Sequence, residues 1–94
     1  MKTDRVIYEL SCIKQAHLHL PPAERAKGSI GELIARYNSA VETLDEPILR
    51  RVYDLLYIKG MSTIVCALTL NCDRKSLYRY NLRLVTCLNE VLHA

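Results

Sequence analysis

"MSTIVCALTLNCDRKSLYRY", residues 61–80, decides how this 94-residue chain is read. It is apolar at first, breaks at Asn71-Cys72-Asp73, and then turns basic and aromatic. Ser62 and Asp73 are residue types whose side chains accept a hydrogen bond from a first-turn amide, so each can start a helix. Asn71 tolerates the left-handed backbone region better than any residue except glycine. The pattern predicts a short helix from Ser62 to about Leu70, a tight turn, and a long helix from Arg74 to about Leu92.

Two helices joined so tightly form a helix-turn-helix, and packing dictates what its positions hold. The first helix buries Cys66 and Leu70, with the small Ala67 where the second helix crosses. Cys72 plugs the angle between them, since a free cysteine packs as a small apolar group. Leu77, Tyr80 or Asn81, Leu84 and Leu88 carry the buried face onward. Arg74, Lys75, Ser76, Tyr78 and Arg79 fall on the open face. Tyr80 reads as core, whereas Tyr78 suits either packing or stacking on a base.

Upstream the chain reads as further helices. Val6, Leu10, Ile13, His17 and Leu20 recur at helical spacing over residues 3–20. Pro21-Pro22 ends that helix. Residues 22–28 are either a helical turn starting at Pro22 or a loop ending at Gly28. Ser29-Ile30-Gly31-Glu32 has the form of a capping box. Ile30, Leu33, Ile34, Tyr37, Val41 and Leu44 follow as one apolar face. Asp45-Glu46-Pro47 supplies an acidic cap and a first-turn proline for a helix burying Ile48, Leu49, Val52, Leu55, Leu56 and Ile58. Gly60 stands where a left-handed C-cap would. The fold class is therefore all-α, with about five helices in a single domain. Residues 1–45 form a supporting or dimerising part, and 46–94 hold the helix-turn-helix.

Charge is uneven along the chain. Residues 1–45 hold six basic side chains (Lys2, Arg5, Lys14, Arg25, Lys27, Arg36) and six acidic ones (Asp4, Glu9, Glu24, Glu32, Glu42, Asp45). Residues 46–94 hold seven (Arg50, Arg51, Lys59, Arg74, Lys75, Arg79, Arg83) against four (Glu46, Asp54, Asp73, Glu90). The whole net charge of +3 thus lies in the second half, which points to a polyanionic partner. It also argues against mimicry of DNA, which needs an acidic surface. No apolar run approaches the ~20 residues of a membrane span. No secretory leader is evident. The four cysteines then belong to a reducing cytoplasm, and their spacing contains no C-x-x-C pair.

The segment "YIKGMSTIVCALTLNCDRKSLYRYNLRLVTCL" resembles the promoter-reading region four of bacterial sigma factors. It is similar also to the sigma-like module of small phage late-gene regulators of the ArpU or RinA kind. The shared pattern is an apolar helix, Gly60-Met61-Ser62, Ala67, Leu70, the turn and a basic helix. It covers residues 46–92. Cysteine occupies two sites usually filled by Ile or Val, and Ile64 and Val65 stand where the family often has Glu. That places two apolar side chains on a face normally in water, to be covered by the N-terminal helices or by a second subunit.

The resemblance implies a sequence-specific transcriptional regulator of phage or mobile-element origin, at work in the cytoplasm of a bacterial host. Residues 73–83 would dock in the major groove of double-stranded DNA. Arg74, Lys75, Ser76, Tyr78 and Arg79 would face base edges. Lys59, Ser62, Thr63 and Arg83 would lie near phosphates. One such half-site binds weakly, so a homodimer is expected. Leu82, Val85 and Val91, which widen the apolar stripe of the last helix, point the same way.

Other classes fit less well. Cys12, His17 and His19 are metal-ligand types, but His17 and His19 lie on different faces of a helix, and zinc sites commonly use four ligands. No metal or other cofactor is expected. Cys66, Cys72 and Cys87 read as buried fillers with no neighbouring base to activate them. Paired carboxylates, glycine-rich phosphate loops and Ser-His-Asp arrangements are not evident, so the chain does not read as an enzyme. The alternative from another class is a helical protein-interaction factor, binding RNA polymerase or inhibiting a host protein, that keeps the fold without binding DNA.

Overall fold

A computed structural model describes residues 3–93. It contains six helices: α1 (Asp4–His19), α2 (Pro22–Arg25), α3 (Gly28–Glu42), α4 (Pro47–Tyr53), α5 (Thr63–Thr69) and α6 (Arg74–His93). The end of α4 widens into a π-helical turn, Asp54–Ile58. There is no strand among the described residues, so the all-α expectation holds. The stretch left open at residues 22–28 is the one-turn helix α2, with Pro22 in its first turn, where a missing N–H costs nothing.

The long helix α6 is the axis of the molecule. Leu77, Leu84, Val85 and Leu88 are its buried side. α4, α5, α3 and α1 all pack against it. One core joins Val6, Leu10 and Ile13 of α1, Tyr37 and Val41 of α3, Leu49 and Val52 of α4, and Cys66 of α5. Burying a side chain such as Leu84 or Leu88 contributes about 2 kcal/mol.

Without Phe or Trp, tyrosines are the aromatic members of this aliphatic core, and each needs a partner for its hydroxyl. Tyr37 donates to Glu9 Oε1 at 2.8 Å. Tyr53 donates to Asn38 Oδ1 at 2.7 Å, and Tyr57 to Asn81 Oδ1 at 2.6 Å. Burial pushes the hydroxyl pKa of all three upward. Each bond ties two helices together, so the polar ends of the core also fix helix register.

Several local expectations need correction. The capping box at Ser29 does not form, because the helix starts earlier. Gly28 turns through φ +61°, Lys27 is the N-cap, and its carbonyl accepts from Gly31 N at 3.0 Å. Ser29 is already inside the first turn. Glu46 is the N-cap of α4, but its carboxylate makes no cap bond and pairs with Arg83 instead. On α1 the buried stripe is Val6, Leu10, Ile13 and Ala16. Leu20, at the extended C-cap, is exposed, and His17 is half-buried, its Nδ1 2.9 Å from the carbonyl of Ile13. The α6 stripe is narrower than expected: Val85 is buried, whereas Leu82 and Val91 are exposed.

Gly60 ends the π-helical turn with φ +66°, as its position predicts. Leu18 of α1 closes over it, and a Cβ there would meet Leu18 Cδ2 at 2.8 Å. The left-handed φ favours glycine, whereas the half-exposed Leu18 side chain can shift to admit a Cβ. The chain thereby leaves the α4 unit at the angle that sets α5 against α6.

Candidate nucleic-acid interface

The geometry of residues 61–80 follows from three local devices. Ser62 Oγ accepts from Val65 N at 3.2 Å and starts α5. Asp73 Oδ1 accepts from Ser76 N at 2.7 Å and starts α6. Between them Asn71 takes φ +55°, with two bonds closing the turn. Cys72 N donates to Ala67 O at 3.0 Å, and Asn71 N to Leu68 O at 3.1 Å. This pairing is the Schellman motif, with asparagine in the usual place of glycine. Ala67 is 4% exposed and belongs to the core that joins α5 to α6. Cys72 packs against the core as the plug. The two helices are joined by four residues, 70–73, the connection length of a helix-turn-helix.

The four cysteines are free thiols. Burial pushes the Cys66 thiol pKa up, with Cys72 adding to the rise, and burial does the same to Cys87. A raised pKa keeps a thiol protonated and unreactive. Among the described residues no three His, Cys, Asp or Glu side chains gather as metal ligands do.

Arg74, Lys75, Tyr78 and Arg79 line one shallow depression of about 410 Å³ on the outer side of α6. None of the three cations has an acidic partner within 4 Å among the described residues. The Tyr78 ring is 64% exposed, whereas Tyr80 is half-buried against the core. Ser76 is drawn into the helix cap, since its amide and its hydroxyl both hold Asp73. These bonds, more than the nearby Arg79, depress the Asp73 pKa.

The residues assigned to phosphates divide into two pairs. Thr63 is exposed and shares a groove with Arg74 and Tyr78, and Ser62 stands beside it. Lys59 holds Asp54 at 3.5 Å, and Arg83 is bound to Glu46. Both of these cations are more than half exposed, so each can exchange its carboxylate for an external anion.

α5 carries no charged residue. Ile64, Val65 and Leu68 form its outer face and are 56%, 46% and 74% exposed. The N-terminal helices do not cover them. Leu68 is the member that sequence reasoning missed; its signal is the i, i+4 spacing from Ile64. Reasoning from sequence also missed Leu56 and Asn81 as neighbours of Tyr78 in the groove.

The chain matches no family model, no curated protein and no solved structure. The functional reading therefore stands on this surface itself.

Proposed function

We propose that the protein is a sequence-specific DNA-binding transcriptional regulator of the sigma-region-four-like kind. α6 docks in the major groove with Arg74, Lys75, Tyr78 and Arg79 toward the bases. Ser62, Thr63, Lys59 and Arg83 lie along the phosphates. The observation that carries this reading is a solvent-facing cluster of three cations, none in a salt bridge within 4 Å among the described residues, on the first turns of the second helix of a helix-turn-helix. Such cations cost nothing in water and release counterions when they meet a polyanion. Arginine also matches the paired acceptors of guanine. Two copies on a two-fold related site supply the affinity that one short reading surface lacks. The setting that suits this reading is the cytoplasm of a bacterial host carrying a phage or mobile element.

Fluorescence anisotropy with duplexes drawn from a randomised pool, at two salt concentrations, tests it. Binding that weakens steeply with salt is expected, with a log–log slope that counts displaced phosphate contacts. Absence of binding at low salt would overturn it.

One observation favours a second reading. Ile64, Val65 and Leu68 form an uncovered apolar face on the helix next to α6. A protein-interaction factor, bound to RNA polymerase or to a host protein, would use that face in place of the basic one. Leu68→Glu separates the two: it abolishes function under the second reading and leaves intrinsic DNA affinity per half-site unchanged under the first.

A further inference from the structure

The groove beside Tyr78 has a chemistry more specific than its positive charge. It encloses about 300 Å³ and is lined by Leu56, Thr63, Arg74, Leu77, Tyr78 and Asn81. Leu56 and Leu77 are buried and form its floor, with the exposed ring of Tyr78 as one wall. Leu82, one turn beyond Tyr78 and 45% exposed, extends the apolar strip along α6. The polar groups at the rim are biased in one direction. Arg74 can only donate. Asn81 Oδ1 already accepts from the Tyr57 hydroxyl at 2.6 Å, which leaves its NH₂ group as the donor. Thr63 makes no side-chain hydrogen bond within the described residues, so its hydroxyl is available to donate.

A site that donates at its rim and is apolar at its floor fits one base edge of the four. In the major groove thymine shows an acceptor, O4, beside a methyl group. Cytosine shows a donor, adenine adds a donor to its acceptor, and guanine shows acceptors without a methyl. We propose that this groove is a thymine-selective subsite, in which Tyr78, above Leu56 and Leu77, receives the 5-methyl group while Arg74 and Asn81 face O4. The inference rests on the DNA-binding reading and assigns it a base preference at one position of the recognised sequence.

The test uses the full chain and a duplex that it selects from a randomised pool. Each thymine is replaced in turn by uracil, which removes the methyl alone. At one position per half-site the wild-type protein loses about fourfold in affinity, the worth of one buried methyl-sized group. A 5-methylcytosine·guanine pair at that position keeps the methyl but turns the acceptor into a donor. It costs at least about tenfold, because donors then face a donor. Tyr78→Ala binds more weakly and no longer distinguishes thymine from uracil at that position. Because Tyr78 is exposed, its helical circular dichroism matches wild type.

The subsite is overturned if the selected duplex binds and no uracil replacement weakens it. It is equally overturned if Tyr78→Ala keeps the full uracil penalty. If no duplex binds at all, the DNA-binding reading beneath it fails as well, and the two failures are thereby told apart.

Discussion

The two ends of the molecule use their arginines in opposite ways. At the N-terminal end, Glu9 is 13% exposed and collects Arg5 at 3.7 Å and Arg36 at 3.6 Å, beside the bond from Tyr37. His93, from the last turn of α6, lies 3.3 Å from the same carboxylate, although not aligned for a hydrogen bond. One acid thus ties α1 and α3 together, with the end of α6 beside it. At the start of α6, Arg74, Lys75 and Arg79 face solvent with no carboxylate within salt-bridge distance among the described residues, and Asp73 beside them is engaged by Ser76. Charge that is matched internally holds helices in register, and charge left unmatched is available to a partner. Composition alone does not distinguish the two uses; the position of the carboxylates does.

The largest expected effect tests that division directly. Replacing Arg74 and Arg79 together by alanine is predicted to lower DNA affinity by on the order of 100-fold, since a bidentate base contact from Arg79 is worth about 1–3 kcal/mol and a charged hydrogen bond from Arg74 adds a similar amount. Both side chains are exposed, so stability changes little. Replacing Arg5 and Arg36 is predicted to do the reverse, with DNA affinity held and the unfolding midpoint lowered. Anisotropy and urea titration on the two pairs measure both quantities. Equal losses of affinity from the two pairs would break the comparison.

A smaller effect is expected at Glu9. Glu9→Gln keeps an acceptor for Tyr37 but removes the charge that Arg5 and Arg36 face. The predicted cost is about 1–2 kcal/mol of stability, read from the shift of the urea midpoint at constant slope. DNA affinity at saturating folded protein stays the same. A change in affinity with no change in stability would mean that the cluster belongs to the interface.

The sequence makes these two regions legible to different degrees, for a physical reason. The helix-turn-helix is written in local devices. Ser62 and Asp73 each cap an amide three residues on, and the Asn71 turn closes within six residues. Such devices have fixed offsets, so residue type and spacing reveal them. The Glu9 cluster joins residues 28 positions apart through Tyr37, and Arg83 meets Glu46 across 37 positions. No offset announces a contact of that kind. The same limit hides the Glu46 carboxylate beside Arg83, and Leu56 and Asn81 beside Tyr78. The false capping box at Ser29 shows the converse. Its residue types are right, but Gly28 turns the chain earlier and the motif has no helix end to cap. The apolar residues of α5 were visible in sequence; their exposure was not, because it depends on where the N-terminal helices lie.

The turn between α5 and α6 offers a test of intermediate size. Asn71→Val places a β-branched residue at φ +55° and is predicted to cost about 1–2 kcal/mol. Asn71→Gly relieves that backbone and stays within a few tenths of a kcal/mol of wild type. Thermal melts of the pair read the difference. Equal destabilisation by both would show that the Asn71 side chain matters more than its backbone angle.

The smallest effect concerns the one acid that borders the basic face. The amide and hydroxyl of Ser76 hold the Asp73 carboxyl below its ordinary pKa of 3.8. A carboxylate whose pKa is lower in the folded chain than in the unfolded one binds fewer protons when folded. Its contribution is therefore complete above the unfolded pKa and is lost as pH falls through the folded value. Asp73→Ala should melt below wild type at pH 7, and that gap should narrow only once the pH drops below about 4. Asp73→Asn, which caps without a charge, should track wild type closely at pH 7 and show less of the acid-dependent loss. A gap between wild type and Asp73→Ala that stays constant down to pH 2 would mean that the capping bond does not depend on the charge. The depressed pKa would then have no share in holding the first turn of α6, and the cations beside Asp73 would be positioned by packing alone.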